Sequence, residues 1–231
     1  MTPAELARLI DHSVLKPEAT EHDIRAGVDV VCTLQIGFYC VQPSWVKLAS
    51  EAIGGAGARV VSVVGFPHGC DRPPVKARAA SIAVAEGARE IDMVMNFGAL
   101  KSGHATLVAD DIEALVRAVH GVPVKVILET AALSESEKNL ACRLACDAGA
   151  AFVKTSTGFH PGGGATAADV RLLRAAVGPA IGVKASGGIR TLADARAMLD
   201  AGANRIGTSA SAAILEALAS ENARQRQPPS I

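Results

Sequence analysis

A short motif recurs in this chain wherever a helix would hand over to a strand. Ala85-Glu86-Gly87-Ala88, Asp147-Ala148-Gly149-Ala150 and Asp200-Ala201-Gly202-Ala203 each stand directly before an apolar, β-prone run, and Gly54-Gly55-Ala56-Gly57-Ala58 is a looser version. The glycine suits a left-handed helix stop, and the small neighbour lets the helix end lie close to a sheet. Strand-like runs fall near residues 9–11, 36–41, 60–65, 90–96, 124–129, 152–155, 182–185 and 205–208. Their spacing of about 30 residues is that of one βα unit. Eight such units predict a single-domain α/β fold, the (β/α)8 or TIM barrel, with parallel strands and helical crossovers. An open, doubly wound sheet competes with it. That arrangement is disfavoured because no glycine-rich dinucleotide fingerprint follows the first run.

Composition supports one domain and narrows what it can bind. The 231 residues are 49% hydrophobic, enough for a full core, and residues 1–224 are read as the barrel domain. Residues 225–231 are polar and proline-rich and are expected to form a poorly ordered tail. Basic and acidic residues balance at 23 each, so no field attracts nucleic acid or an anionic membrane. No signal peptide and no membrane-length apolar run is visible. Five cysteines without ligand spacing fit reduced thiols and a cytoplasmic protein; a homodimer is compatible with this composition. The histidines never fall at helical ligand spacing, so no metal is assigned. The segment 105–119 places Leu107, Ile112, Leu115, Val116 and Val119 near one helical stripe, and Ser134 with Glu137 offers a capping box ahead of 140–148.

Two lysines stand where packing alone would not put them. Phe152-Val153-Lys154-Thr155-Ser156-Thr157-Gly158 and Ile181-Gly182-Val183-Lys184-Ala185-Ser186-Gly187-Gly188 each carry a lysine in an apolar run just before small residues and glycine. Lysine is rarely buried unless it is paired or used. In a (β/α)8 barrel the active face lies at the C-terminal strand ends, which directs Lys154 and Lys184 upward. Lys125, at the start of its run, is assigned to the opposite face. Asp92 lies mid-run among apolar residues, and a buried carboxylate needs a partner. A plain salt bridge from Asp92 to one of the lysines is the bland explanation.

Schiff-base chemistry is the sharper one. An amine attacks a carbonyl only when neutral, and bringing lysine from about 10.4 to about 7 requires roughly 4 kcal/mol. A second ammonium about 5 Å away supplies roughly 3 kcal/mol at an effective dielectric of 20, and desolvation adds to it. Neighbouring strands are about 4.8 Å apart, so the two lysines can form such a pair. Physics alone does not say which is the nucleophile. Phosphate sites in these barrels use the loops after strands seven and eight. Here those loops carry Gly187 and Gly188, then Gly207 and Ser209, whose backbone N–H groups and hydroxyl suit an anion. The segments around His68 and His160 read as loops above the barrel that could contribute to a lid.

With these residues in place, the sequence closely resembles the deoxyribose-phosphate aldolase family. The matching segments include Ile10-Asp11-His12-Ser13-Val14-Leu15-Lys16-Pro17, Glu90-Ile91-Asp92-Met93-Val94-Met95-Asn96, Val126-Ile127-Leu128-Glu129-Thr130 and both lysine runs. The resemblance implies that Lys154 is the Schiff-base lysine, Lys184 its activator and Asp92 the group that relays protons through a water. It further implies Asp11 and Cys40 at the sugar end of the pocket and Thr157 near the phosphate path. The implied reaction is reversible cleavage of 2-deoxy-D-ribose 5-phosphate to D-glyceraldehyde 3-phosphate and acetaldehyde, on a small phosphosugar and without a cofactor. Another lysine-dependent phosphosugar aldolase or transaldolase, or a non-catalytic phosphosugar-binding barrel, fits the same residues. Some members of the family end in a tyrosine that assists proton transfer, whereas the single tyrosine here is Tyr39.

Overall fold

The computed structural model describes residues 1–226. Its strands are β1 (Ile10–Val14), β2 (Phe38–Val41), β3 (Arg59–Val64), β4 (Glu90–Val94), β5 (Val124–Ile127), β6 (Phe152–Lys154), β7 (Gly182–Ser186) and β8 (Arg205–Thr208). The helices are α1 (Pro3–Leu9), α2 (Glu21–Thr33), α3 (Val46–Ile53), α4 (Pro73–Ala85), α5 (Phe97–Lys101), α6 (Ala105–Ala118), α7 (Glu135–Asp147), α8 (Ala167–Val177), α9 (Leu192–Asp200) and α10 (Ser211–Arg226). All strand pairs are parallel, and β1 pairs with β8 to close the barrel. The expected (β/α)8 architecture is therefore the observed one. Expected and observed strands differ mainly at their ends: β1 continues to Val14, three residues beyond the run read from sequence. The recurrent glycines are the helix stops they were expected to be. Gly87, Gly149 and Gly202 have φ of 115°, 84° and 107°, and the following alanine in each case donates its N–H five residues back.

Strand alternation divides the molecule into two interiors. Ile91 and Met93 of β4, Val153 of β6, Val183 and Ala185 of β7 and Ile206 of β8 point outward into the large apolar core between sheet and helices. Their neighbours Glu90, Asp92, Lys154, Lys184 and Arg205 point into the barrel. On β2 and β3 the inward residues are apolar, and Phe38, Cys40, Val61 and Val63 form a smaller cluster. Half of the barrel lumen is thus greasy and half ionic.

The helical stripe of α6 and the boundary of the tail differ from the expectation. Leu107 lies on α6 but is 43% exposed, because the buried stripe runs through Val108, Ile112 and Leu115. Helix α10 includes Gln225 and Arg226, the first two residues of the expected tail, while residues 227–231 lie outside the described residues. Among the described residues no helix is long and apolar enough to cross a membrane. Helix α7 begins at Glu135, earlier than the apolar run alone would place it, since its cap sits at Ser134. There Ser134 Oγ accepts from Glu137 N at 3.3 Å, and Glu137 Oε2 accepts from Ser134 N at 2.7 Å. Replacing Ser134 by Ala is expected to lower unfolding free energy by about 1 kcal/mol in a urea titration; an unchanged midpoint would show that the box contributes nothing.

Candidate active site

Register brings the two lysines side by side. Lys154, the last residue of β6, is the direct partner of Lys184 in the middle of β7. Both side chains enter the lumen and meet on one atom: Asp92 Oδ2 accepts from Lys154 Nζ and from Lys184 Nζ, each at 2.7 Å. Asp92 Oδ1 accepts from Lys125 Nζ at 2.9 Å. Lys184 also donates to Asp11, Lys125 pairs with Glu90, and Glu90 accepts from Arg205 at 3.0 Å. The connected network therefore contains four basic side chains and three carboxylates, all buried. Burying ions is costly and is tolerated only where partners are this complete.

Lys125 corrects the sequence reading. Its backbone lies at the start of β5, but it is the register partner of Asp92, and its side chain donates to that carboxylate within the lumen. The plain salt bridge and the lysine pair, treated as rivals on sequence grounds, are both present in one network. Glu90 and Arg205, also unassigned from sequence, continue it downward. Arg205 lies 3.3 Å from the centroid of the Phe38 ring, so an aromatic face helps to carry its charge.

Titration follows from this geometry. Burial works against the charge on Asp92, but the ammonium groups of Lys125, Lys154 and Lys184 outweigh it and hold the carboxyl well below the usual range. Burial likewise works against Lys184, yet Asp11 and Asp92 together hold its ammonium above the ordinary lysine value. Lys184 is thus a fixed cation. Carboxylates stand between and beside the two ammonium groups, a feature that pairing the lysines alone does not include.

The remaining expected residues divide between this network and a cleft above it. Asp11 is fully buried, with Oδ2 on Lys184 and Oδ1 without a hydrogen-bond partner. Cys40 is buried beside it, and burial, reinforced by Asp11 and Asp92, pushes its thiol up to about 12. Asp11, Cys40 and Asp92 bring three potential metal-ligand atoms within 4.8 Å of one another. A cation there would have to displace Lys184 and Lys154 from their oxygens and deprotonate that thiol. The cleft, about 760 Å³, is lined by Thr157, Gly187, Gly188, Gly207 and Ser209, with His12, Lys16 and Arg190 on its walls. Gly207 belongs to both regions: a Cβ there would lie 3.1 Å from Lys184 Cε and 2.9 Å from Ser186 Cβ, so a side chain would crowd the lysine.

Thr157 is already engaged. Its hydroxyl donates to Glu129 Oε2 at 2.5 Å and accepts from Phe159 N at 3.0 Å, which shapes the loop after β6. Glu129 was not singled out from sequence as a functional residue. Its signal is an acidic residue at the end of an apolar run, where Asp92 stands in the middle of one. It is buried, at a left-handed φ of 57°, and its carboxylate also accepts from Thr157 N. The two loops read as lid elements do meet over the barrel, through Phe66 and Phe159 edge to face at 5.2 Å. His160 turns inward on its own loop and accepts from Gly162 N, whereas His68 is exposed. Tyr39 is buried, with its hydroxyl donating to Ile24 O at 2.8 Å.

A closed parallel barrel with an ionic, lysine-rich lumen beneath an open cleft defines a (β/α)8 enzyme of the lysine-bearing kind. The chain belongs to the DeoC/LacD family of aldolases, whose family model matches residues 6–217. It is an aldolase, a carbon–carbon lyase. A deoxyribose-phosphate aldolase of Methanothermobacter thermautotrophicus is 54% identical over 219 residues, covering 93% of this chain and 96% of that protein. One from Streptococcus gordonii is 50% identical over 212 residues, covering 92% and 96% respectively. The solved tetrameric deoxyribose phosphate aldolase from Aeropyrum pernix superposes with a TM-score of 0.88 at 34% identity, covering 95% of this chain and 93% of that one.

The sign of the pH dependence can be worked out for Asp92. Its depressed folded-state pKa contributes stability that is present above the ordinary value of 3.8 and is lost as pH falls through the folded value. Asp92→Asn is expected to cost about 3–5 kcal/mol near neutral pH by leaving buried ammonium groups under-compensated. The gap between wild type and variant should narrow progressively in acid, as the wild-type carboxyl protonates. A gap constant from neutral pH into that range, measured by denaturant titration, would contradict the assignment.

Proposed function

We propose that this aldolase reversibly cleaves 2-deoxy-D-ribose 5-phosphate to D-glyceraldehyde 3-phosphate and acetaldehyde through a Schiff base on Lys154. The observation that carries the reading is the sharing of Asp92 Oδ2 by the amines of Lys154 and Lys184. Lys184 is held by two carboxylates and stays charged. Lys154 has one partner, shared, and stands at the top of its strand, nearer the open mouth. Among the three lysines of the network, Lys154 has the fewest carboxylate partners.

The steps then follow. The neutral amine of Lys154 adds to C1 of the open-chain sugar, and the resulting carbinolamine loses its hydroxyl as water to give an iminium ion. The C3 hydroxyl gives up its proton while the C2–C3 bonding pair moves toward the iminium, leaving an enamine and releasing the three-carbon aldehyde. Protonation of the enamine at C2 and addition of water then free acetaldehyde and restore the amine. Asp92, with a water as carrier, is the group through which these protons pass. Lys184 supplies fixed positive charge beside the nitrogen. Asp11 and Cys40 are assigned to the sugar end, and the cleft loops with Gly187, Gly188, Gly207 and Ser209 to the phosphate. Arg190 and Lys16 add positive charge to that cleft. Tyr39, committed to Ile24, is given no part in proton transfer.

The five free thiols suit a reducing, cytoplasmic setting, and the tetrameric relative supports self-assembly, with a homodimer as the smallest unit. Treatment with acetaldehyde and borohydride should convert the imine to a stable secondary amine, located by peptide mass at Lys154. An adduct elsewhere, or none, would sink the mechanism. In Lys184→Leu the pH of half-maximal trapping should rise by about 2 units, the effect of removing a charge roughly 5 Å away. An unshifted profile would remove Lys184 from the activating role.

A further inference from the structure

His12 is buried to 93% and points away from the lumen, on the opposite face of β1 from Asp11. The mechanism above makes no use of it. Its Nδ1 lies 2.9 Å from Ser211 Oγ, at the first residue of α10 and 199 positions away in sequence. Ser211 Oγ in turn approaches Thr208 O at 3.5 Å. Thr208 Oγ1 donates to Ile189 O at 2.7 Å and accepts from Ala210 N at 2.9 Å. A continuous chain of hydrogen bonds therefore runs from β1 to the loop after β8 and on to the loop after β7. The end of β8 and its loop carry Gly207–Ser209, and the loop after β7 carries Gly187–Gly188. The imidazole also lines the cleft they form.

The ring is itself held in place. It stacks on Tyr39 with centroids 5.9 Å apart and planes 19° from parallel. Tyr39 is anchored by its bond to Ile24 O in α2, and Gly27 of the same helix has no side chain because a Cβ would overlap the Tyr39 hydroxyl. Burial, opposed only in part by Asp11, keeps the imidazole below the ordinary histidine value and hence neutral near pH 7. The Ser211 hydroxyl gives its one hydrogen to Thr208 O, so the tautomer that completes the chain carries its proton on Nδ1 and donates to Ser211 Oγ.

We propose that His12 is a positioning residue for the phosphate end of the substrate, setting the separation of the two cleft loops through Ser211 and Thr208. This rests on the reading that those loops take the 5-phosphate. A flexible loop can close on an anion, but ordering it then costs conformational entropy at each binding event. A pre-set pair of loops avoids that cost, and the benefit appears only for substrates that carry the phosphate.

The test compares kcat/KM for 2-deoxyribose 5-phosphate with that for 2-deoxyribose in the full chain and in His12→Leu, His12→Asn and Ser211→Ala. In His12→Leu and Ser211→Ala the preference for the phosphorylated sugar should fall about tenfold, the effect of one lost buried hydrogen bond, and mainly through KM. His12→Asn places an amide where Nδ1 stood and should recover most of the preference. An unchanged preference, or equal losses on both sugars without recovery in Asn, overturns the positioning role. Ser211→Ala removes a single oxygen, so it carries the test should His12→Leu fail to fold. If the wild type shows no preference for the phosphorylated sugar, the phosphate reading itself fails. Preference in the wild type retained in the variants removes His12 alone.

Discussion

The structure depends first on one carboxylate serving three ammonium groups. Asp92 accepts from Lys125, Lys154 and Lys184, and without it the lumen would hold buried positive charge with too little opposing it. A site of this kind cannot be assembled piecemeal, because each ion is tolerable only when its partners are already in place. That requirement links the strand register to the chemistry. Lys154 and Lys184 must be direct neighbours, and Asp92 must stand opposite Lys125, for all four groups to converge.

The rest of the barrel can be seen as the support for that convergence. Outward-facing residues of every strand lock the sheet to its helices in a continuous apolar core, which leaves the inward face free to carry polar groups. Phe38, Cys40, Val61 and Val63 close one side of the lumen, so the ions are confined to the other. Above them, absence of a side chain at Gly207 leaves room for Lys184 while opening the cleft, and Thr157 is tied back by Glu129. The greasy half and the ionic half thus divide the work of packing and of chemistry.

Much of this was legible in the sequence. The glycine stops announced the βα period because a left-handed turn has few alternatives to glycine, and lysines in apolar runs were conspicuous because burial makes them costly. Lys125 sits at the start of its run, and only the register of β5 against β4, which pairs it with Asp92, shows that its charge belongs to the lysine network. Leu107 misled because a helical stripe read from apolar residues alone ignores which turn faces the sheet. Glu90, Arg205 and the His12–Ser211 contact had no local signal at all. Their partners lie 115 and 199 residues away, and ordinary loop or strand residues would look the same.

The sequence by itself determined the class of fold, through helix stops and strand runs repeating at one period, and it marked Asp92, Lys154 and Lys184 as residues that needed a purpose. Those conclusions rest on local constraints: backbone conformation at glycine, alternation along a strand, and the cost of burying charge. Only the tertiary structure decided how the charges are apportioned. Closing the barrel brought Asp11 onto Lys184 and made it a fixed cation, and register put two amines on one carboxylate oxygen. The balance of a buried ionic network depends on distances between strands far apart in the chain, and no local pattern encodes those distances.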